Sequence, residues 1–168
     1  QFKEKKVEKK YICLVHGDID QTTGTIEADV GRIGKFGKFG IVEGGRESKT
    51  SFEVIERYEF KEKNFDELLL KVHTKSRINF LKKQAKRYSL LNIFPKTGRT
   101  HQIRVHIKSI GHPVVSDLIY TPKKLLKFDF LWCQRLFLHA SKIKFTHPKS
   151  KKGIEFQSDL PGELKGAL

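Results

Sequence analysis

A chain of 168 residues and 19.5 kDa suits a single domain, and at that size roughly 70% of the unfolded surface can be buried without staples. A hydrophobic fraction of 38% with 13 Phe excludes wholesale disorder, and two cysteines exclude a disulfide scaffold. Lys and Arg number 34 against 19 Asp and Glu, a formal charge of +15, and no apolar run approaches the ~20 residues a bilayer span needs; the field suits a nucleic acid better than a membrane.

Residues 1–10 alternate charges around Phe2 and Val7 and read as an exposed lead-in or a frayed helix end. The sequence has no Met, so Gln1 is expected not to be a natural start and an upstream segment is expected to have been removed. Tyr11 to Val15 is an apolar run closed by His16-Gly17-Asp18, the pattern of a buried strand and turn. Thr23 to Val30 alternates as a half-exposed strand. Residues 31–40 carry glycine at every third position, without Pro, and read as a mobile basic loop rather than collagen. Ser48 to Phe60 has strand chemistry. Asn64 and Glu67 have capping-box spacing ahead of a helical pattern at Phe65, Leu68, Leu69 and Val72. Ser76 to Lys86 suggests a second short helix, and residues 61–87 hold nine Lys/Arg against three acids, a possible basic insertion.

Tyr88 to Phe94 returns to strand and Pro95 to Gly98 turns the chain. Thr100 to Ile110 is helical, with Ile103, Ile107 and Ile110 on one face, Gly111 as its stop and Pro113 beyond. Lys123 to Phe130 suggests a helix, Arg135 to Thr146 and Ile154 to Gln157 strands, and Pro161 a last helix start. Cys13 and Cys133 lie in apolar surroundings, as buried thiols of a reducing, cytoplasmic compartment do. The order predicts an α+β fold, a mainly antiparallel mixed sheet flanked by helices, with residues 1–168 as one domain fragment.

The densest polar cluster is Lys96-Thr97-Gly98-Arg99-Thr100-His101-Gln102-Ile103-Arg104-Val105-His106. A helix start favours anions, and Arg99 and Arg104 add fixed charge with forked donors, so the cluster reads as a phosphate or carboxylate site; an amphipathic helix with a polar face is the bland alternative. No metal site is expected, since His101 and His106 are five apart with no acid between them. Phosphate-loop, dinucleotide and serine-hydrolase patterns are absent.

From Thr97 to His106, and on through Ile110-Gly111-His112-Pro113-Val114-Val115-Ser116-Asp117, the chain resembles the RluA-like pseudouridine synthases. Lys10 to Gly17, Gly44 to Tyr58, and Arg135 to Pro148 resemble further segments of that family in the same order. The resemblance implies isomerisation of uridine to pseudouridine in ribosomal or transfer RNA, without cofactor or metal. It implies that Arg104 is the salt-bridge partner of the catalytic aspartate and that Tyr11 is the active-site tyrosine. Arg99, His101 and Gln102 are implied to shape the pocket or touch RNA. The residues of the loop from Lys35 to Phe39 suggest separately that Lys35 and Lys38, around Phe36 and Phe39, clamp RNA by charge and stacking, with a disordered connector as the alternative.

The family's arginine-leucine-aspartate motif precedes the tyrosine, and no Asp precedes Tyr11 here. Asp117 is read as part of a different, structural motif. The chain is therefore expected to be the C-terminal portion of a catalytic domain, to hold the arginine without an in-chain carboxylate partner, and to be inactive alone. A non-catalytic RNA-binding protein on the same scaffold is the alternative; in either case a monomer acting on RNA without a membrane is expected. Ser116 and Leu118 replace a glycine and proline common in the family and are expected to alter a turn.

Overall fold

The computed structural model describes residues 1–34, 37–72 and 75–168. A six-stranded sheet is built from β1 (Glu8–His16), β2 (Thr23–Glu27), β5 (Lys49–Glu59), β6 (Arg87–Pro95), β7 (Leu138–Thr146) and β8 (Gly153–Gln157). Its order is β2-β5-β6-β1-β7-β8, and every pairing is antiparallel. A two-stranded ribbon, β3 (Val30–Arg32) with β4 (Phe39–Ile41), lies outside that sheet. The helices are α1 (Glu62–Leu69), α2 (Lys75–Gln84), α3 (Gln102–Ser109), α4 (Lys123–Asp129) and α5 (Gly162–Lys165). The fold class is the expected α+β. Among the described residues, no helix is long and apolar enough to cross a membrane.

Central position explains why β1 is apolar on both faces. Side chains of a strand alternate, and Cys13 and Val15 join Leu91, Ile93 and Phe52 beneath Ile103 and Ile107 of α3. Leu14 faces the other way, with Tyr88, Leu90, Val115, Phe137 and Leu164 of α5. Tyr11 shares the α3 side, at the end where this core thins out. Helix α3 is enclosed more completely than its isoleucine spacing predicts: Val105 packs with Val30 and Tyr120, and His106 is fully buried. Ile110, expected on the buried face, is 39% exposed because the helix has ended there.

The ribbon corrects the expectation of a mobile loop over residues 31–40. Val30 pairs with Ile41 and Arg32 with Phe39, and Val30 also exchanges backbone hydrogen bonds with Arg46. Its glycines permit close approach; a Cβ on Gly40 would lie 2.7 Å from the Ile33 side chain. Lys35 and Phe36 lie outside the described residues. The strand expected over Thr23–Val30 is accordingly split, because Val30 leaves the main sheet for the ribbon.

Residues between β5 and β6 form two helices that bridge neighbouring strands, Glu59 opposing Arg87 at the last rung. Phe65, Leu69, Leu81 and Ala85 of this insertion pack on Leu125 and Phe128 of α4. That contact sets the helix frame: α1 starts at Glu62 with Lys61 as N-cap and no side-chain cap bond, so the capping box expected at Asn64 is not formed. At Ser116 the chain takes φ +58°, a left-handed conformation that glycine adopts without strain. Its N–H donates to Asp129 at 2.9 Å and its hydroxyl to the Cys133 carbonyl, so serine holds the turn in place of glycine.

Phe128 is 1% exposed and joins the insertion to the rest of the molecule. Phe128→Ala is expected to destabilise the fold by about 3–5 kcal/mol, the range for emptying a buried aromatic site. Urea denaturation measures it; a loss below ~1 kcal/mol would mean the insertion is not packed as described.

Candidate active-site cleft

The cleft forms where the turn after β6 meets the first residue of α3. Gln102 fixes that junction. Its side-chain oxygen accepts from the Thr97 hydroxyl (2.7 Å) and the Arg99 N–H (2.9 Å), and its NH2 donates to the Lys49 carbonyl (3.0 Å) and the Thr50 hydroxyl (2.9 Å). With four bonds made and 3% exposure, Gln102 has nothing left for RNA. The expected RNA contact is corrected: it is a positioning residue that ties α3 to β5.

His101 precedes α3 with φ +56°, a left-handed conformation that costs a non-glycine residue roughly 1–2 kcal/mol. Its Nδ1 lies 2.9 Å from the Tyr120 hydroxyl, which also accepts the Phe39 N–H at 3.1 Å. Both contacts are satisfied when Tyr120 donates to an unprotonated Nδ1. Burial, then the Arg104 charge, holds the imidazole below its ordinary 6.5, so it is neutral at pH 7.

Arg104 lies one turn further along α3. Its Nε donates to Asp117 Oδ2 at 2.7 Å and its Nη2 to Oδ1 at 2.6 Å, a forked pair. The guanidinium carbon sits 4.9 Å from the Tyr120 ring centre. Asp117 is fully buried, and its Oδ1 also accepts the amides of Ile119 (2.9 Å) and Tyr120 (3.1 Å). Burial pushes its carboxyl up; the Arg104 bonds and charge and the two amides outweigh burial and hold it below 3.8.

The expectation that Arg104 finds no carboxylate within the chain is thereby overturned. The loop after α3 doubles back and delivers an aspartate thirteen residues on, which sequence proximity to the Gly-His-Pro turn concealed. An isomerase reading therefore cannot rest on an arginine awaiting its partner. What remains is Nη1, which makes no hydrogen bond among the described residues, on a guanidinium that lines the cleft.

The cleft holds about 330 Å³. Tyr11, Arg99, His101 and Arg104 border it, Ile103, Leu136 and Leu138 supply apolar surface, and Lys9 stands at its edge with its ammonium on the Thr97 carbonyl (3.1 Å). No Asp or Glu lines it among the described residues. Arg99 is half-buried, its Nε on the Glu47 carbonyl at 3.2 Å. The structure thus brings Tyr11, Arg99, His101 and Arg104 together. Lys38 is exposed on the ribbon and does not line the cleft, and Lys35 lies outside the described residues. Among the described residues no three His, Cys, Asp or Glu cluster in a way that could hold a metal. Sequence reasoning placed Asp117 in a structural motif without giving it Arg104 as partner, and missed Tyr120; the only signal for both was their place just beyond the Gly-His-Pro turn.

Residues 1–109 match the family described as RNA pseudouridylate synthase. An uncharacterised RNA pseudouridine synthase of Mycobacterium bovis is 35% identical over 169 residues, covering 99% of this chain and 46% of that protein. The ribosomal large subunit pseudouridine synthase C of Buchnera aphidicola is 34% identical over 173 residues, covering 100% of this chain and 46% of its own length. The chain thus spans about half the length of these relatives. Among solved structures, human RNA pseudouridylate synthase domain containing 1 superposes with a TM-score of 0.72 at 27% identity, over 99% of this chain and 60% of that one.

Asp117→Asn keeps the shape of the buried pair and removes its charge. At pH 7 it is expected to cost up to about 3–5 kcal/mol, the range for breaking a buried ion pair. The folded carboxyl titrates below 3.8, so the pair's contribution is complete above that value and lost as pH falls through the folded one. The difference between wild type and variant should therefore shrink under acid. Denaturation at neutral and acid pH tests this; a difference that is the same at both would remove the charge from the account.

Proposed function

The chain belongs to the RNA pseudouridylate synthase family, and on that premise we propose that this protein isomerises uridine to pseudouridine in RNA, with the Tyr11–Arg104 cleft receiving the extruded base. The convergence of Tyr11 and the Arg104 guanidinium on one cationic, apolar-sided cleft carries the proposal. The reaction breaks the bond from ribose C1′ to N1 of the base and rejoins C1′ to C5 of the same base; a proton leaves C5 and one is gained at N1, so the composition is unchanged. It has no net redox change, and the proposal invokes no cofactor. Extruding a base costs a few kcal/mol. The apolar side chains Ile103, Leu136 and Leu138 and the tyrosine ring offer it a dry surface, while Lys9, Arg99 and Arg104 attract the phosphates that travel with it.

In this reading Tyr11 lies against the base and takes part in proton transfer, which needs reach more than a shifted pKa. The Asp117 fork holds the guanidinium so that its Nη1 donates to the carboxylate that attacks C1′. That carboxylate is not Asp117, whose oxygens are buried and occupied. Since no acid borders the cleft, the described residues supply the positioning half of the chemistry, and this chain by itself is expected to bind RNA without turnover. Relatives named for the large ribosomal subunit make ribosomal RNA the first substrate to test and transfer RNA the second, both in the cytoplasm. The acid-free cleft also supports a second reading, a non-catalytic RNA binder on this scaffold.

The assay is pseudouridine formation in uridine-containing RNA, with binding measured in parallel. The complete protein is expected to turn over and the 168-residue chain is not. Arg104→Ala in the complete protein should lower kcat by at least about a hundredfold, the scale of removing a fixed charge partner in a dry site, with a much smaller loss of RNA affinity. Equal losses in both would make Arg104 a binding residue, and binding without turnover by the complete protein would favour the second reading.

A further inference from the structure

Of the depressions other than the cleft, one beside β1, β7 and β8 sets Lys9, Lys10 and Lys142 against Glu8 and Asp159, and two more carry clusters of positive charge that differ in acid content. One, of about 610 Å³, lies between the basic insertion and the Gly111-His112-Pro113 turn and includes Lys82, Lys83, Lys86 and Arg87. It also includes Asp18 and Glu59, which pair with Arg87 at 3.3 and 3.5 Å, while Glu59 pairs with Lys86 at 3.1 Å. Half of its cations are compensated. The other, of about 450 Å³, lies between the β3–β4 ribbon and the turn leading into α3, and contains Arg32, Arg46 and Arg99 with no Asp or Glu.

Gly98 and Arg99 border both this second depression and the cleft, so the two are continuous. Arg32 and Arg46 are exposed and form no ion pair among the described residues. The neighbouring Glu47 carboxylate is drawn to Lys5 at 3.6 Å, and the Glu47 carbonyl takes the Arg99 Nε, which fixes that guanidinium at the boundary. Arg32 lies 6.0 Å from the centre of the Phe39 ring, and Phe39 is itself held by the Tyr120 hydroxyl. The groove therefore presents three forked cations, Arg32 on the braced ribbon, Arg46 beside it and Arg99 on the turn into α3, and Phe39 ties the ribbon through Tyr120 to the network that seats Arg104.

We propose that this arginine groove is a binding site for the phosphates of the RNA strand adjoining the nucleotide in the cleft. The chemistry is that of guanidinium forks on phosphate oxygens, and continuity with the cleft makes the ligand a strand leaving it rather than a separate anion. The inference rests on the RNA reading of the cleft. It assigns roles to Arg32, at the last described rung of the ribbon, and to Arg46, which pairs with Val30 at its first.

The test is RNA binding across a salt series, using a uridine-containing single-stranded RNA, for wild type, Arg32→Ala/Arg46→Ala, and Lys82→Ala/Lys83→Ala. Both double variants remove two charges. The arginine variant is expected to weaken binding roughly tenfold or more and to reduce the salt slope by about 1.4, at ~0.7 for each lost phosphate contact. The lysine variant is expected to change affinity less than about threefold, as surface charges acting only through the general field do. An arginine variant no weaker than the lysine variant would overturn the groove, because the overall charge would then explain the binding. Should the ribbon unfold in the double variant, Arg46→Ala alone decides: its guanidinium holds nothing else among the described residues, and half the change in slope is expected. A complete wild-type protein that binds RNA without forming pseudouridine would defeat the isomerase reading and leave the groove standing. Normal turnover with unchanged binding by the arginine variant would defeat the groove alone.

Discussion

The fork from Arg104 to Asp117 joins the two layers on which the cleft is built. One partner stands on α3 and the other in the loop that returns beneath it, and the carboxylate also captures the first amides of the next turn, at Ile119 and Tyr120. A buried charge left alone costs several kcal/mol, so neither partner can move without the other. Tyr120 is placed by this turn and in turn places His101 and Phe39. Cleft wall, helix start and ribbon thus share one electrostatic anchor. Two nitrogens of the arginine, Nε and Nη2, are taken up by this anchor.

Around that anchor, ordinary strand geometry does the positioning. The alternation that sends Cys13 and Val15 under α3 brings Tyr11 out on the same side, at the point where the apolar core gives way to the cleft. Gln102 closes the other flank by spending both ends of its amide on β5 and the preceding turn. Polar side chains in one short run therefore have opposite fates. Gln102 and His106 are consumed by the fold, whereas Arg99 and His101 keep a face toward the cleft.

Charge is unevenly organised as well. The formal +15 is a property of the whole sequence, yet at the end of the segment between β5 and β6 Lys86 and the adjoining Arg87 are set against Glu59, Glu62 and Asp18, and the segment turns an aromatic and aliphatic face onto α4. Arg32, Arg46 and Arg99 have no such counter-ion among the described residues.

The sequence by itself determined the fold class, the main strands and the helix over residues 102–109, because these follow from local periodicity and from glycine and proline punctuation. It also determined, through the run from Thr97 to Asp117, the family to which the chain belongs. Only the tertiary structure decided which charges meet. The Arg104–Asp117 pair, the burial of Gln102, the ribbon made from what reads as a loop, and the unused capping box at Asn64 all depend on contacts between segments distant in sequence. Hydrogen bonds and ion pairs are set by distances of about 3 Å, and no periodicity along a chain carries that information until the segments are folded against one another.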